Sequence, residues 1–526
     1  MGGSNTIGLR VAIVGSGFAG IGMAIRLRRM GVASVTVYEA AAEIGGTWRD
    51  NAYPGAACDI PSHLYSFSFA PNPSWTRTFA SQQEILAYLN RCARDRGVAS
   101  LIRCNARVAA ARFDDARRIW RLDVVAAQHG RHGDTGGIQT DNAQNGPETV
   151  EVDVLIAASG PLSRPALPAI AGLDRFGGAL FHSARWDHAY PLEGKTVAVI
   201  GTGASAVQFI PRIQPRVARL HVFQRTPPWV MPRPDRAIDP RTQRLFRFAP
   251  WAQRLVRWAI YWRHEARALA FIVNPKWMKA PMRFAGSYLE RRVKDPALRA
   301  KLAPNYLLGC KRVLLSSDYY PALVQPNVDL VTSPIREIVE DGIVTEDGRR
   351  YRVDAIICGT GFDVADAGAP FPLYGSRGES LDARWRSEGP QAYLGASIAG
   401  FPNFFMMIGP NTGLGHNSMV YMIESHIAYI ASCLKLLVRR GARTMEVRAD
   451  VQAAYNEEVQ KAFEGTVWMS GCRSWYLSAR GKNTALWPGF SFAFRRLTRR
   501  VRAGDYRFDE SPGTVRPSET DIPALP

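Results

Sequence analysis

The chain has 526 residues, of which 46% are hydrophobic and 21% charged, a balance that excludes a disordered or fibrous chain and leaves room for two or three domains. Its net charge of +20 raises nucleic acid as a partner, yet no helix-turn-helix, zinc-finger or RNA-binding aromatic signature accompanies the scattered arginines. A nucleic-acid partner is set aside, and the positive balance is assigned to anionic dinucleotides or an anionic lipid surface.

The first element, LRVAIVGSGFAGIGMAIRLRRMGVASVTVYEA (9–40), predicts strand, tight turn, helix, strand. Gly15 makes the turn, Gly17 lets backbone approach a pyrophosphate, and Gly20 permits close helix–strand packing. The helix start offers free N–H groups to phosphate. Glu39 closes the second strand, where a carboxylate accepts hydrogen bonds from ribose hydroxyls, so the site suits FAD or NAD better than NADP.

VEVDVLIAASGPLSRP (150–165) then predicts a buried strand and a Gly-Pro break, the point where the chain leaves this first domain. KTVAVIGTGASAVQFIPRIQPRVARLHVFQRTP (195–227) repeats the glycine grammar with Gly201, Gly203 and Ala206. Here the second strand ends in Arg225, which pairs with a 2′-phosphate, as NADP-binding forms of the motif require. An acid-ended site followed by a base-ended site predicts FAD first and NADPH second.

Residues 233–300 extend the second half with helices. WAQRLVRWAIYWRHEARALAFIV (251–273) carries apolar residues at 251, 255, 258, 259, 262, 266, 269 and 270, a helical stripe with arginines 254, 257, 263 and 267 mostly off it. The stripe predicts packing on the second domain and lining of a substrate tunnel, with a basic membrane-surface helix as the alternative. YRVDAIICGTGFD (351–363) predicts the return to the first domain, and FPNFFMMIGPNTGLGHNS (401–418) a last strand ending in glycine-rich backbone suited to a flavin ring. YMIESHIAYIASCLKLLV (421–438) carries Glu424, His426 and Lys435 and is not read as a membrane span. QHGRHGDTGGIQTDNAQNGPE (128–148) predicts a hairpin excursion, and the proline-rich end a disordered tail. Seven cysteines form neither a CxxC pair nor a metal-ligand spacing, so no metal is expected; their odd number, without a signal peptide, predicts a reducing, cytoplasmic setting.

Two further motifs carry a resemblance. FGGALFHSARWD (176–187) matches FxGxxxHxxxW followed by Pro or Asp at every specified position, and GGTWRDNAYPGAACD (45–59) matches a GGxW run leading to YPG and an acid. With both glycine motifs, over residues 8 to about 500, the chain resembles the type I Baeyer–Villiger monooxygenases, within the flavin-containing monooxygenases. The resemblance implies an α/β chain with two Rossmann-like domains, the NADP domain (166–335, helical extension about 233–300) inserted in an FAD domain (1–165 and 336–505), with 506–526 as the tail.

It also implies NADPH-driven insertion of one oxygen atom from O2 into a small apolar ketone through a flavin C4a-peroxide, with oxygenation of a thioether, thioamide or amine as the alternative. By resemblance Arg312, in GCKRVLLSSDYYP (309–321), is the catalytic arginine that stabilises the oxygen anion, and Asp59 is the acid that holds it. Lys311 joins Arg225 and Thr226 around the 2′-phosphate. Gly46, Thr47, Trp48, Tyr65 and Val108 fall at FAD-contacting positions, and Thr202, Ala204 and Ser205 in the second phosphate turn. Phe176, Gly178, His182 and Trp186 are read as coupling the domains. The aromatics of 467–489, Trp468, Trp475, Tyr476 and Trp487, are candidates for a lid.

Overall fold

A computed structural model describes residues 7–127, 147–364, 369–472 and 474–510. The expected hairpin of 128–148 falls almost wholly outside these residues, as does the tail from 511.

Two five-stranded parallel sheets organise the chain. In the first the order is Phe404–Met406, Val154–Ala157, Ile7–Val14, Val32–Tyr38, Ile102–Arg103. In the second it is Val328–Val331, Arg219–Phe223, Thr196–Ile200, Ala355–Cys358, Ala179–His182. Each glycine-motif strand lies at the centre of its sheet. Both are short apolar runs, Val11–Ile13 and Val197–Val199 being fully covered, because parallel strands are clothed by helices on both faces. The helix Met419–Arg439 is long and apolar enough to cross a membrane, with hydropathy 1.2. Yet 72% of its most apolar window is buried, packed on the helices Phe18–Arg29 and Ser491–Thr498.

Two expected boundaries move. The strand Ala355–Cys358 pairs with Thr196–Ile200 in the second sheet, and the antiparallel strands Ile335–Val339, Gly342–Thr345 and Arg350–Arg352 precede it. The second domain therefore runs to about 358, not 335. Sequence order misled here because a parallel sheet takes its last strand from far along the chain. At the other end Tyr506–Glu510 pairs with Ala442–Val447 and buries Tyr506, so the expected tail begins no earlier than 511.

The helical extension is present as Pro240–Phe248, Pro250–Ala268, Lys279–Arg292 and Pro296–Leu302. Its orientation reverses the expectation. Gln253, Tyr261, His264, Glu265 and Ala268 face the protein, and the apolar stripe at 251, 255, 258 and 262 faces outward. The inward polar face is satisfied by distant chain. Gln253 donates to the Asn72 carbonyl at 2.7 Å, Arg257 donates to the His63 carbonyl at 2.7 Å, and Glu265 accepts from Asn417 at 2.6 Å and from the Ser491 hydroxyl at 2.8 Å. A buried carboxylate so well supplied with donors stays charged.

Four buried histidines, His63, His182, His264 and His426, are each pushed down to about 4, mainly by burial. Their folded pKa lies below the unfolded value of 6.5. The unfolded chain therefore takes up protons first, and stability present above 6.5 is lost as pH falls toward about 4. Each histidine contributes up to about 1.4 kcal/mol per pH unit across that window. Denaturant unfolding from neutral pH downward should show midpoints falling through it; a flat profile would contradict the neutral burial.

Candidate active site

The first glycine turn is shaped by contacts that no side chain could survive. Gly15 has φ +106°, and a Cβ there would meet the Ala158 carbonyl at 2.7 Å. Gly17 precedes the helix Phe18–Arg29, with Gly46 against it: a Cβ on Gly46 would lie 3.1 Å from the Gly17 Cα. Gly45 N–H donates to the Ser16 carbonyl at 3.1 Å, so the GGTW turn is bonded to the first turn. The result is a cradle walled by main chain, which Cβ atoms would fill. Thr47 begins the short helix Thr47–Asp50. Trp48 Nε1 donates to the Tyr65 hydroxyl at 3.1 Å, and Tyr65 meets Phe18 edge-on at 5.2 Å. Val108 is buried in the strand Ala106–Asp114, in one core cluster with Tyr38 and Trp120.

Glu39 is buried at the end of the second strand, and its two oxygens accept from Ser16 N, Ser16 Oγ and Ala41 N at 3.0, 2.7 and 3.0 Å. Arg49 lies 2.9 Å from it. Arg49 was not singled out from the sequence, although its place one residue after Trp48 in the GGTW motif was a signal. A ribose hydroxyl approaching Glu39 would replace one of these donors, the rotatable Ser16 hydroxyl most simply.

The second turn repeats the geometry. Gly201 has φ +104°, and a Cβ there would meet the Gly359 carbonyl at 2.5 Å. Gly203, Ala204 and Ser205 lie open to half-open before the helix Ala206–Ile213, and Thr202 Oγ1 donates to the Thr226 carbonyl at 3.4 Å. Ala206 takes the third glycine position because Gly359 opposite it leaves room for a methyl. Arg225 is exposed just past the strand Arg219–Phe223, and its charge together with burial lowers the Lys311 ammonium below its usual range. Lys311 sits over the Tyr306 ring at 4.9 Å. Neither cation pairs with a carboxylate among the described residues, so their charges are left uncompensated by the protein.

The linker motif connects these turns. Gly178 is required because a Cβ would meet the Asp354 carbonyl at 2.4 Å and the Phe176 ring at 2.7 Å. His182 Nδ1 accepts from Ala184 N at 3.1 Å and the ring is neutral. Trp186 packs on Phe209 at 5.3 Å, and Phe209 on Tyr53 at 6.0 Å. Gln208, from the same helix, accepts from the Tyr53 hydroxyl at 3.0 Å and donates to the Ala57 carbonyl at 3.0 Å. The chain of contacts thus runs from the linker, through the second phosphate helix, into the YPG loop. Gln208 was absent from the sequence candidates, since a glutamine inside a helix carries no local signal.

That loop ends at Asp59, and Arg312 of the second domain reaches it: Nε donates to Oδ2 at 3.0 Å and Nη2 to the same oxygen. About a third of each side chain remains exposed. The Asp59 charge raises the guanidinium further above its usual value. Tyr476 is buried close enough to feel both charges, and burial pushes its hydroxyl up to about 12, so it remains a donor. Trp468 and Trp487 are buried in a cluster with Phe271, and Trp475 is partly exposed at 45%.

The absence of a CxxC pair and the expected reducing setting announced no disulfide, yet one is present. Cys310, two residues before Arg312, is disulfide-bonded to Cys472 in the 467–489 segment, with Cα atoms 6.3 Å apart. Short-interval spacing rules cannot see a pair separated by 162 residues. Loop entropy over that separation assigns the bond about 5 kcal/mol. Cys472→Ser should lower stability to urea, reductant should lower the wild type equally, and reductant should leave the variant unmoved. Equal stability of all three would exclude the bond.

Two parallel sheets, each with a glycine turn at the end of its central strand and joined by the Arg312–Asp59 pair, place the chain in the paired Rossmann class of dinucleotide-binding proteins. Residues 13–81 match the NAD(P)-binding Rossmann-like domain model. A Baeyer–Villiger monooxygenase of Pseudomonas aeruginosa is 47% identical over 508 residues, covering 96% of this chain and 92% of that protein. One from Streptomyces coelicolor is 46% identical over 98% of this chain and 94% of its own. Among solved structures, the OTEMO complex with FAD and NADP superposes with TM-score 0.83 at 28% identity, covering 95% of this chain and 99% of that one. Oxidized steroid monooxygenase bound to NADP gives 0.81 at 30%, covering 96% and 100%. The chain belongs to the Baeyer–Villiger monooxygenase family.

Proposed function

We propose that this chain is an FAD-dependent, NADPH-consuming monooxygenase that inserts one oxygen atom from O2 into a ketone, giving an ester or lactone. The observation that carries the reading is the Arg312–Asp59 pair, in which a permanent cation from one domain meets a carboxylate of the other.

FAD fits the first cradle, where Gly15, Gly17 and Gly46 leave only main chain to face a pyrophosphate and Trp48 and Tyr65 close one side. When bound, it stores the two electrons from NADPH and activates dioxygen. NADPH fits the second turn, its phosphates against the helix starting at Ala206 and its 2′-phosphate beside Arg225 and Lys311.

The protein's own part is electrostatic. Asp59 fixes the guanidinium plane, so Arg312 needs no reorganisation as negative charge develops on oxygen during attack on the carbonyl. The guanidinium cannot give up its proton at any working pH and so acts as charge, never as acid. Tyr476, close enough to feel the Arg312 and Asp59 charges, stays protonated across the same range. A site that keeps the attacking oxygen anionic favours electrophilic ketones over thioethers and amines.

The test is NADPH oxidation in air with a ketone panel and a thioether, followed by mass spectrometry for the gain of one oxygen atom. Ester formation from ketones supports the reading. Oxygenation of the thioether alone would replace it with heteroatom chemistry.

A further inference from the structure

We propose that the helix Pro250–Ala268 is a membrane-interface element that docks this enzyme on an anionic phospholipid bilayer.

The helix is built inside out. Its outward face carries Trp251, Leu255, Trp258 and Trp262, at 65%, 57%, 62% and 43% exposure. Their i, i+4, i+7 and i+11 spacing places them on one stripe. Phe248, 84% exposed, ends the preceding helix, and Phe492 adds its ring 5.9 Å from Trp262. Isolated exposed apolar residues are ordinary, but a tryptophan-rich stripe of this continuity marks a docking surface. The polar face cannot simply roll outward to bury the stripe. Glu265, Arg257 and Gln253 are locked by hydrogen bonds to the Asn417, Ser491, His63 and Asn72 segments. The stripe is therefore held outward by the tertiary structure.

The charge around it selects the occupant. Between residues 240 and 294 there are thirteen lysines and arginines against two acids, and one of those acids is the buried Glu265. Arg241, Arg244, Arg247, Arg254 and Arg263 are exposed on the two helices that carry the stripe. None of the thirteen cations forms an ion pair with a carboxylate among the described residues. Apolar rings flanked by free basic residues match the headgroup boundary of an anionic bilayer, where tryptophan partitions and arginine meets phosphate. A second copy of the chain is the poorer occupant, because a two-fold contact through this face would set the same cations against one another.

The test uses the full-length holoenzyme and vesicles of phosphatidylcholine, with or without phosphatidylglycerol, in co-sedimentation at low and high salt. Binding to the phosphatidylglycerol vesicles at low salt should be at least about tenfold tighter than to phosphatidylcholine alone, and should weaken as salt rises. The triple variant Trp251→Ser, Trp258→Ser, Trp262→Ser should lose about tenfold or more in that binding, while its flavin content and NADPH-dependent turnover in solution match the wild type. Arg254→Glu with Arg263→Glu should weaken binding by a similar factor through charge alone. Absence of binding to anionic vesicles at low salt overturns the proposal. So does undiminished binding of both variants, or a lipid-free dimer by light scattering that the tryptophan substitutions dissociate.

Discussion

Arg312→Ala should bind FAD and accept reducing equivalents from NADPH, yet lose ketone oxygenation by on the order of 10²–10³-fold, the loss typical of removing one pre-set charge from a developing oxyanion. NADPH consumption should then appear as hydrogen peroxide instead of ester. The reason lies in the geometry: Arg312 comes from the second domain, its partner Asp59 from the first, and no other described cation pairs with Asp59. Arg312→Lys keeps the charge but loses the planar fork, so it should fall between wild type and alanine. The measurement is the ratio of ester to peroxide per NADPH consumed. An unchanged ratio in Arg312→Ala would remove Arg312 from the chemistry.

The double variant Arg225→Ala, Lys311→Ala should raise KM for NADPH by at least about 100-fold, since each charge-assisted bond to phosphate is worth about 1.5–3 kcal/mol, and should leave KM for NADH nearly unchanged. The same pair sets a pH dependence. Burial and the Arg225 charge hold the Lys311 ammonium below its ordinary 10.5. As pH rises, Lys311 therefore loses its charge earlier than an exposed lysine, and the preference for NADPH over NADH should decline from the alkaline side. Lys311→Arg should retain the preference to higher pH. Parallel increases in both Michaelis constants would show that the two cations serve the general fold of the turn and not the 2′-phosphate.

Much of this arrangement was legible in the residues. The glycine spacing at 15, 17 and 20, and again at 201 and 203, announces backbone that must pass close to other backbone, and the structure shows the carbonyls of Ala158 and Gly359 in the way of any Cβ. Such constraints are local, so a one-dimensional pattern carries them. Arg49 and Gln208 were missed because their partners lie elsewhere: Glu39 is ten residues back along the chain, and Ala57 is 151 residues from Gln208. Nothing in the type or spacing of a helical glutamine records such a contact.

What the sequence by itself determined was the pair of dinucleotide turns, their acidic and basic endings, the motif spacing and the helical periodicity of 251–273. These follow from backbone sterics and from the period of the helix, which neighbouring residues impose on one another. Only the tertiary structure decided which strand joins which sheet and that Cys310 meets Cys472, while the Arg312–Asp59 pair, 253 positions apart, was expected from the resemblance alone and not from any local pattern. It also decided that the basic helix turns its tryptophans outward. Periodicity says that a helix has two faces but not which one the rest of the chain will cover. That choice fell to Asn72, His63, Asn417 and Ser491, whose hydrogen bonds make the polar side the buried one.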